Sequence, residues 1–81
     1  MKYTNGEEVR LGDRILQDGR PGTVVCSIDT GEYSADFPQS TWSHLGSGVL
    51  INFETMGVVH YTSADEGLEL IARIATHVNS R

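Results

Sequence analysis

The sequence predicts a mainly β domain, formed as a small antiparallel barrel or strongly bent sheet of four or five strands with one C-terminal helix. Short segments rich in β-branched and alternating apolar residues recur along the chain, and Gly- and Pro-containing turns separate them. With 81 residues, the chain is long enough for one small core. No linker or change in composition divides it, so we expect residues 1–81 to form a single domain.

The N-terminal third predicts three short β segments. Residues 7–11 alternate polar and apolar side chains, which is typical of a half-buried strand. Residues 12–28 place two apolar segments around the turn residues 18–22, and this pattern predicts a β-hairpin with a loop longer than two residues. Alternation in the second segment puts Val24 and Cys26 on the inner face, where Cys26 acts as a small buried hydrophobe.

Residues 29–48 show no clear periodicity but contain three large aromatic side chains. Loops of this length in compact domains are functional or disordered, and the aromatic content argues against disorder. Acidic and aromatic residues alternate here, which predicts a recognition surface, although Phe37 and Trp42 folded back over one end of the barrel are an open alternative. A helical turn over residues 40–45 is expected to end at Gly46. The predicted partner-binding residues are Asp29, Glu32, Tyr33, Asp36, Phe37 and Trp42.

Residues 49–62 predict a second hairpin. Two alternating segments, 49–54 and 58–62, flank a connection of three residues that ends in Gly57. Leu50 and Val58 fall on its outer face, where we expect the C-terminal segment to cover them. The predicted core consists of Val9, Leu11, Ile15, Val24, Cys26, Ile28, Val49, Ile51, Phe53, Val59, Tyr61, Leu68, Ile71 and Ile74.

The residues after this hairpin predict the C-terminal helix, over residues 64–78. Ser63 and Glu66 have the spacing of a capping box, and the apolar residues that follow recur at helical spacing. Gly67 within this segment costs about 1 kcal/mol relative to Ala. A short closing strand over residues 68–71 is therefore the competing interpretation.

The charge of the chain bears on the class of partner. Eleven acidic and six basic residues give a net charge of −5, which disfavours nucleic acid and anionic membranes as partners and attracts a basic protein. The alternative is that the charge only keeps the protein soluble. No apolar segment is long enough to cross a bilayer, and the single cysteine excludes an internal disulfide, so a cytoplasmic location is expected.

No motif with recognisable catalytic chemistry is present. A nucleophilic Cys26 needs an accessible, electropositive setting, and the mid-strand position predicts burial instead. His44, His60 and His77 lie 16 and 17 residues apart, whereas zinc ligands come in closely spaced pairs. Loop carboxylates outside a buried setting are solvated groups, not an acid–base pair. The sequence thus predicts a protein that is not an enzyme and that binds no cofactor or metal.

The β segments resemble the strands of a known class of small barrel. Residues 9–16 (VRLGDRIL) and 22–28 (GTVVCSI) resemble the opening of small SH3-like β-barrels, and residues 48–53 (GVLINF) and 57–61 (GVVHY) resemble their third and fourth strands. An acidic barrel with a long acidic-aromatic loop is similar to immunity proteins of bacterial polymorphic toxin systems. This resemblance implies a protein-binding inhibitor that neutralises a basic toxin domain through that loop. The alternatives are a small-molecule-binding or regulatory barrel, and an accessory subunit of a larger enzyme.

Overall fold

The structure, a computed structural model, describes residues 1–73. All its strand pairs are antiparallel, and one sheet contains every strand. The elements are β1 (Arg14–Gln17), β2 (Arg20–Ser27), β3 (Glu32–Tyr33), α1 (Gln39–Trp42), a 3-10 turn (Ser43–Leu45), β4 (Val49–Phe53), β5 (Gly57–Tyr61) and β6 (Leu68–Ala72). The order across the sheet is β5-β4-β2-β1-β6, and β3 pairs with the far end of β2. The mainly β prediction is confirmed, with six strands rather than four or five.

The β1–β2 hairpin closes more tightly than the sequence analysis expects. Asp18 and Gly19 both have positive φ, 53° and 82°, and form a two-residue turn of the kind that matches the twist of paired strands. Pro21 and Gly22 therefore belong to β2 rather than to a loop. A Cβ at Gly22 would lie 2.9 Å from the side chain of Ile51, so only glycine allows β4 to pack this closely.

A β-bulge in β2 changes which of its side chains face the inner side of the sheet. Val24 pairs with Ile51 and Cys26 pairs with Leu50, so the register shifts by one residue at Val25. The shift moves Cys26 to the outer face of the sheet, away from Val24. Placing both residues on the inner face was wrong, because simple alternation does not anticipate the extra residue of a bulge.

The core lies on the inner face of the sheet, and Tyr3 and Val9 from the N-terminal segment pack against it. The predicted core residue Ile71 is 55% exposed, because it lies at a register shift between β1 and β6 and faces outward. Ile74 lies outside the described residues. The inner cluster of buried apolar residues consists of Tyr3, Val9, Ile15, Val24, Val49, Ile51, Phe53, Tyr61 and Leu68. Cys26 and Leu50 are buried outside this cluster, so the predicted burial of Cys26 is confirmed, whereas Leu11, Ile28 and Val59 are only partly buried.

The N-terminal segment folds around a buried carboxylate instead of forming the strand predicted over residues 7–11. Asp13 is fully buried and accepts hydrogen bonds from the Tyr3 hydroxyl (2.6 Å), the Arg10 N–H (3.0 Å) and the Arg73 guanidinium (2.9 Å). Burial and the bond to Asp13 raise the pKa of Tyr3 above its usual range. These bonds bend the segment into turns, which excludes a regular ladder.

Residues 68–72 form strand β6 where the sequence analysis predicts a helix over residues 64–78. The competing interpretation of a closing strand is confirmed, and the helix prediction is wrong as far as residue 73; the rest of it lies outside the described residues. β6 satisfies the backbone groups at the outer edge of β1, and this tertiary pairing outweighs helical spacing. Gly67 also lies so close to the Asp18 carboxylate that any Cβ would overlap it.

Candidate functional site

The connection of residues 29–48 between β2 and β4, hereafter the excursion, is closed at its base by hydrogen bonds. The Ile28 N–H donates to the Gly48 carbonyl (2.9 Å), and the Gly48 N–H donates to the Asp29 carboxylate (2.9 Å). The N-terminal ammonium of Met1 pairs with the same carboxylate. The bond from Gly48, followed by the ammonium, lowers the pKa of Asp29. The two ends of the excursion are therefore held together at the sheet.

Glu32 attaches the excursion to the N-terminal segment. Its carboxylate accepts two hydrogen bonds from the Arg10 guanidinium, at 2.9 and 3.0 Å, and further bonds from the Thr30 hydroxyl (2.7 Å) and the Leu11 N–H (3.2 Å). The paired bonds from Arg10 are the largest cause that lowers the pKa of Glu32 to about 2. Glu32 thus remains ionised through the ordinary pH range and braces the start of the excursion.

A further bond attaches the excursion to the bulge of β2. The Ser34 hydroxyl donates to the Val25 carbonyl (2.7 Å) at the bulged residue. Cys26 and Leu50 next to it point to the outer face and are nevertheless buried, at 0% and 2% exposure. The excursion begins and ends on the strands that carry them. We therefore infer that it covers this part of the outer face, hereafter the covered end.

An aromatic patch forms on the excursion. The ring centroids of Phe37 and Trp42 lie 5.7 Å apart, and the His44 ring lies 6.5 Å from Trp42 in a stacked arrangement. The predicted helical turn over 40–45 is confirmed as α1 and the 3-10 turn, and Gly46 follows with φ of 85°. This helical pair holds Trp42 and His44 on one side. Phe37 and Trp42 are half-buried and His44 is exposed, so the patch contacts both protein and solvent.

The structure separates the six predicted partner-binding residues into two groups. The carboxylates of Asp29 and Glu32 are bonded within the chain and brace the excursion. Asp36 is exposed next to the aromatic patch, and Tyr33 is half-buried on β3. Sequence reasoning missed His44 as a member of the patch, although its position two residues after Trp42 in a predicted helical turn is a usable signal.

The described residues include one thiol, that of Cys26. Burial raises the pKa of the Cys26 thiol, which disfavours the nucleophilic thiolate. Within residues 1–73, no three His, Cys, Asp or Glu side chains are grouped as a metal site requires. The same part of the chain contains no helix of the length and apolar character that a membrane crossing requires.

A groove lies on the part of the outer face that the excursion leaves uncovered, hereafter the open end. It encloses about 280 Å³ between β1, β2 and β6. Ile71 is 55% exposed beside it, and Val58 on β5 is 43% exposed on the same face of the sheet. The groove is lined by Arg14, Ile15, Leu16, Pro21, Ile71 and Ala72.

Comparison of the chain with family models, with curated proteins and with solved structures gave no match.

Proposed function

We propose that the protein is a non-enzymatic protein-binding module that contacts its partner through the aromatic patch, Tyr33 and Asp36. The supporting observation is a pair of half-buried aromatic rings, Phe37 and Trp42, on an excursion braced by internal ion pairs. Aromatic side chains supply most of the energy in many interfaces. Bracing by Glu32 and Asp29 reduces the entropy lost on binding, because the excursion is ordered before the partner arrives.

The proposed partner is basic. The chain has a net charge of −5, and the exposed carboxylate of Asp36 lies beside the aromatic patch. An acidic surface raises the association rate of a basic protein, and Asp36 would accept a hydrogen bond from its Arg or Lys. The form of this function that we favour is an immunity-type inhibitor of a bacterial toxin domain, which gains from tight and rapid binding.

We also propose that the sheet is an SH3-like barrel. Its supporting observation is the strand order, in which β1, β2, β4 and β5 pair in succession, β3 pairs beside them with β2, and the last strand, β6, returns to pair with β1. A barrel of this kind presents its connections, rather than its core, to a partner. The excursion of residues 29–48 is the longest such connection in the described chain.

The direct test is co-expression with a toxin domain encoded beside the gene of this protein. We expect the wild-type chain to restore growth and to bind the purified domain. Trp42→Ala should weaken the complex by about 2 kcal/mol or more, roughly a 30-fold rise in Kd, as at other aromatic anchors.

The matched control is Met56→Ala, which removes an exposed apolar side chain on the β4–β5 turn, at the end of β4 opposite the excursion, and should leave Kd unchanged. Equal Kd values for the wild type, Trp42→Ala and Phe37→Ala, with all three folded, would contradict the proposed interface. Failure of the wild-type chain to bind any neighbouring toxin domain would contradict the immunity function.

A further inference from the structure

The open end of the outer face presents an apolar centre. Leu16 pairs with Pro21 on one side and with Glu69 on the other, and Arg14 pairs with Ala72. Ile15 and Gln17 point inward and are buried, so Leu16 and Arg14 point outward. The 55% exposure of Ile71 beside this centre leaves a large apolar side chain in contact with water.

One cation and one anion flank this apolar centre. Arg14 pairs with Ala72 and lines the groove, whereas Glu69 pairs with Leu16, so the two charges lie in different rows of the outer face. Arg14 contacts Glu54 at 3.6 Å, but both side chains are more than half exposed, which makes this pair easy to exchange. Within residues 1–73, Glu69 makes no ion pair.

We propose that the open end is the interface of a homodimer with two-fold symmetry. A two-fold axis through the apolar centre stacks Leu16 and Ile71 of one copy on those of the other. The same axis sets Arg14 of each copy against Glu69 of its partner. A surface that carries complementary charges on either side of an apolar centre is complementary to itself, as such an interface requires.

The distribution of charge also favours this surface, over the rest of the molecule, as the dimer interface. Two copies of net charge −5 repel each other at most orientations. At the open end each copy carries the cation Arg14 beside the anions Glu54 and Glu69, so Arg14 of one copy can meet a carboxylate of the other and two cross-pairs offset part of the repulsion. The aromatic patch does not take part, and dimerisation leaves the surface assigned to a partner protein free.

The test exchanges the charges at Arg14 and Glu69 and measures self-association of the full chain. Analytical ultracentrifugation covers protein concentrations from about 1 µM to about 1 mM. We expect a concentration-dependent dimer for the wild type. Arg14→Glu and Glu69→Arg should each weaken it about tenfold or more, because like charges then meet across the axis. The double variant Arg14→Glu/Glu69→Arg restores the cross-pairs and should recover the dimer.

Two further variants distinguish this interface from association through a different surface of the molecule. Ile71→Glu places a charge in the apolar centre and should give a monomer, whereas Met56→Glu, at an exposed site on the β4–β5 turn, should leave the dimer intact. Circular dichroism checks that each variant is folded.

A wild type that is monomeric at every concentration overturns the proposal. If the protein is a monomer and Ile71→Glu strongly lowers its melting temperature, another part of the same chain covers the groove. This result also overturns the proposal. A dimer that the double variant fails to recover overturns the charge pairing. None of these results affects binding through the aromatic patch, so the two proposals fail separately.

Discussion

The two ends of the outer face share strand β2 but differ in their cover. At the covered end, Leu50 is 2% exposed although it points away from the core. At the open end, Ile71 is 55% exposed, and Val58, which lies in the row next to Leu50, is 43% exposed. Alternation along a strand assigns a side chain to one face of the sheet. It does not tell whether another part of the chain lies over that face.

The cause of the difference lies in how the excursion is attached. Ser34 bonds it to β2, Asp29 closes its base through Gly48, and Glu32 ties it to the N-terminal segment at Leu11. The bulge at Val25 turns Cys26 toward that end, so a second apolar side chain joins Leu50 beneath the excursion. The described part of the chain places no comparable connection over the open end, where Ile71 remains exposed.

The largest expected effect is at Leu50. Leu50→Ala should lower the free energy of unfolding by about 2–5 kcal/mol, because it leaves a cavity under the excursion. Ile71→Ala, the matched truncation at the open end, should change it by less than about 1 kcal/mol in the monomer, because its side chain is already hydrated. Urea unfolding at low protein concentration measures both. Equal losses would show that the two ends are packed alike.

An intermediate effect on stability is expected at Gly48, where the excursion joins β4. Gly48 has φ of 93°, and a Cβ there would overlap the Tyr61 carbonyl of β5. Gly48→Ala should therefore cost about 2–3 kcal/mol, from the strained backbone and the displaced strand together.

Gly46 provides the control for this substitution. Its φ of 85° is similar, but a Cβ there meets no atom within 4 Å. Gly46→Ala should then cost only the strain of the left-handed backbone, about 1–2 kcal/mol. If thermal unfolding shows the Gly48 variant to be no less stable than the Gly46 variant, the close approach of Gly48 to the Tyr61 carbonyl does not constrain the residue at this position.

The smallest effect is a pH dependence from Glu32. Its pKa is about 2 in the folded protein against an ordinary 4.5, so its ion pair contributes stability above pH 4.5. This contribution is lost as the pH falls from 4.5 toward 2. Glu32→Gln should therefore be less stable than the wild type at neutral pH, with a difference that shrinks in this acidic window.

Arg10→Gln removes the largest cause of the lowered pKa and should give a similar pH profile. The measurement is the free energy of unfolding in urea at a series of pH values. A difference between wild type and Glu32→Gln that stays constant down to pH 2 would mean that Arg10 and Glu32 do not pair in solution.

The part of the candidate site that sequence predicted is local. The helical turn ending at Gly46 follows from neighbouring residues, and it places Trp42 at the end of α1. The internal bonds of Glu32 could not be predicted from the sequence, because Arg10 lies 22 residues away and no local pattern links the two residues. Glu32 was therefore expected at an interface, whereas its carboxylate braces the excursion from within.

The sequence by itself determined a small, mainly antiparallel β domain, most of its inward residues and the position of its one long connection, since periodicity, turn residues and composition are local properties. The tertiary structure decided the rest. Pairing at the free edge of β1 made residues 68–72 a strand, and the bulge at Val25 moved Cys26 to the outer face. Both depend on backbone hydrogen bonds between distant segments, whose demand for partners outweighs local preference.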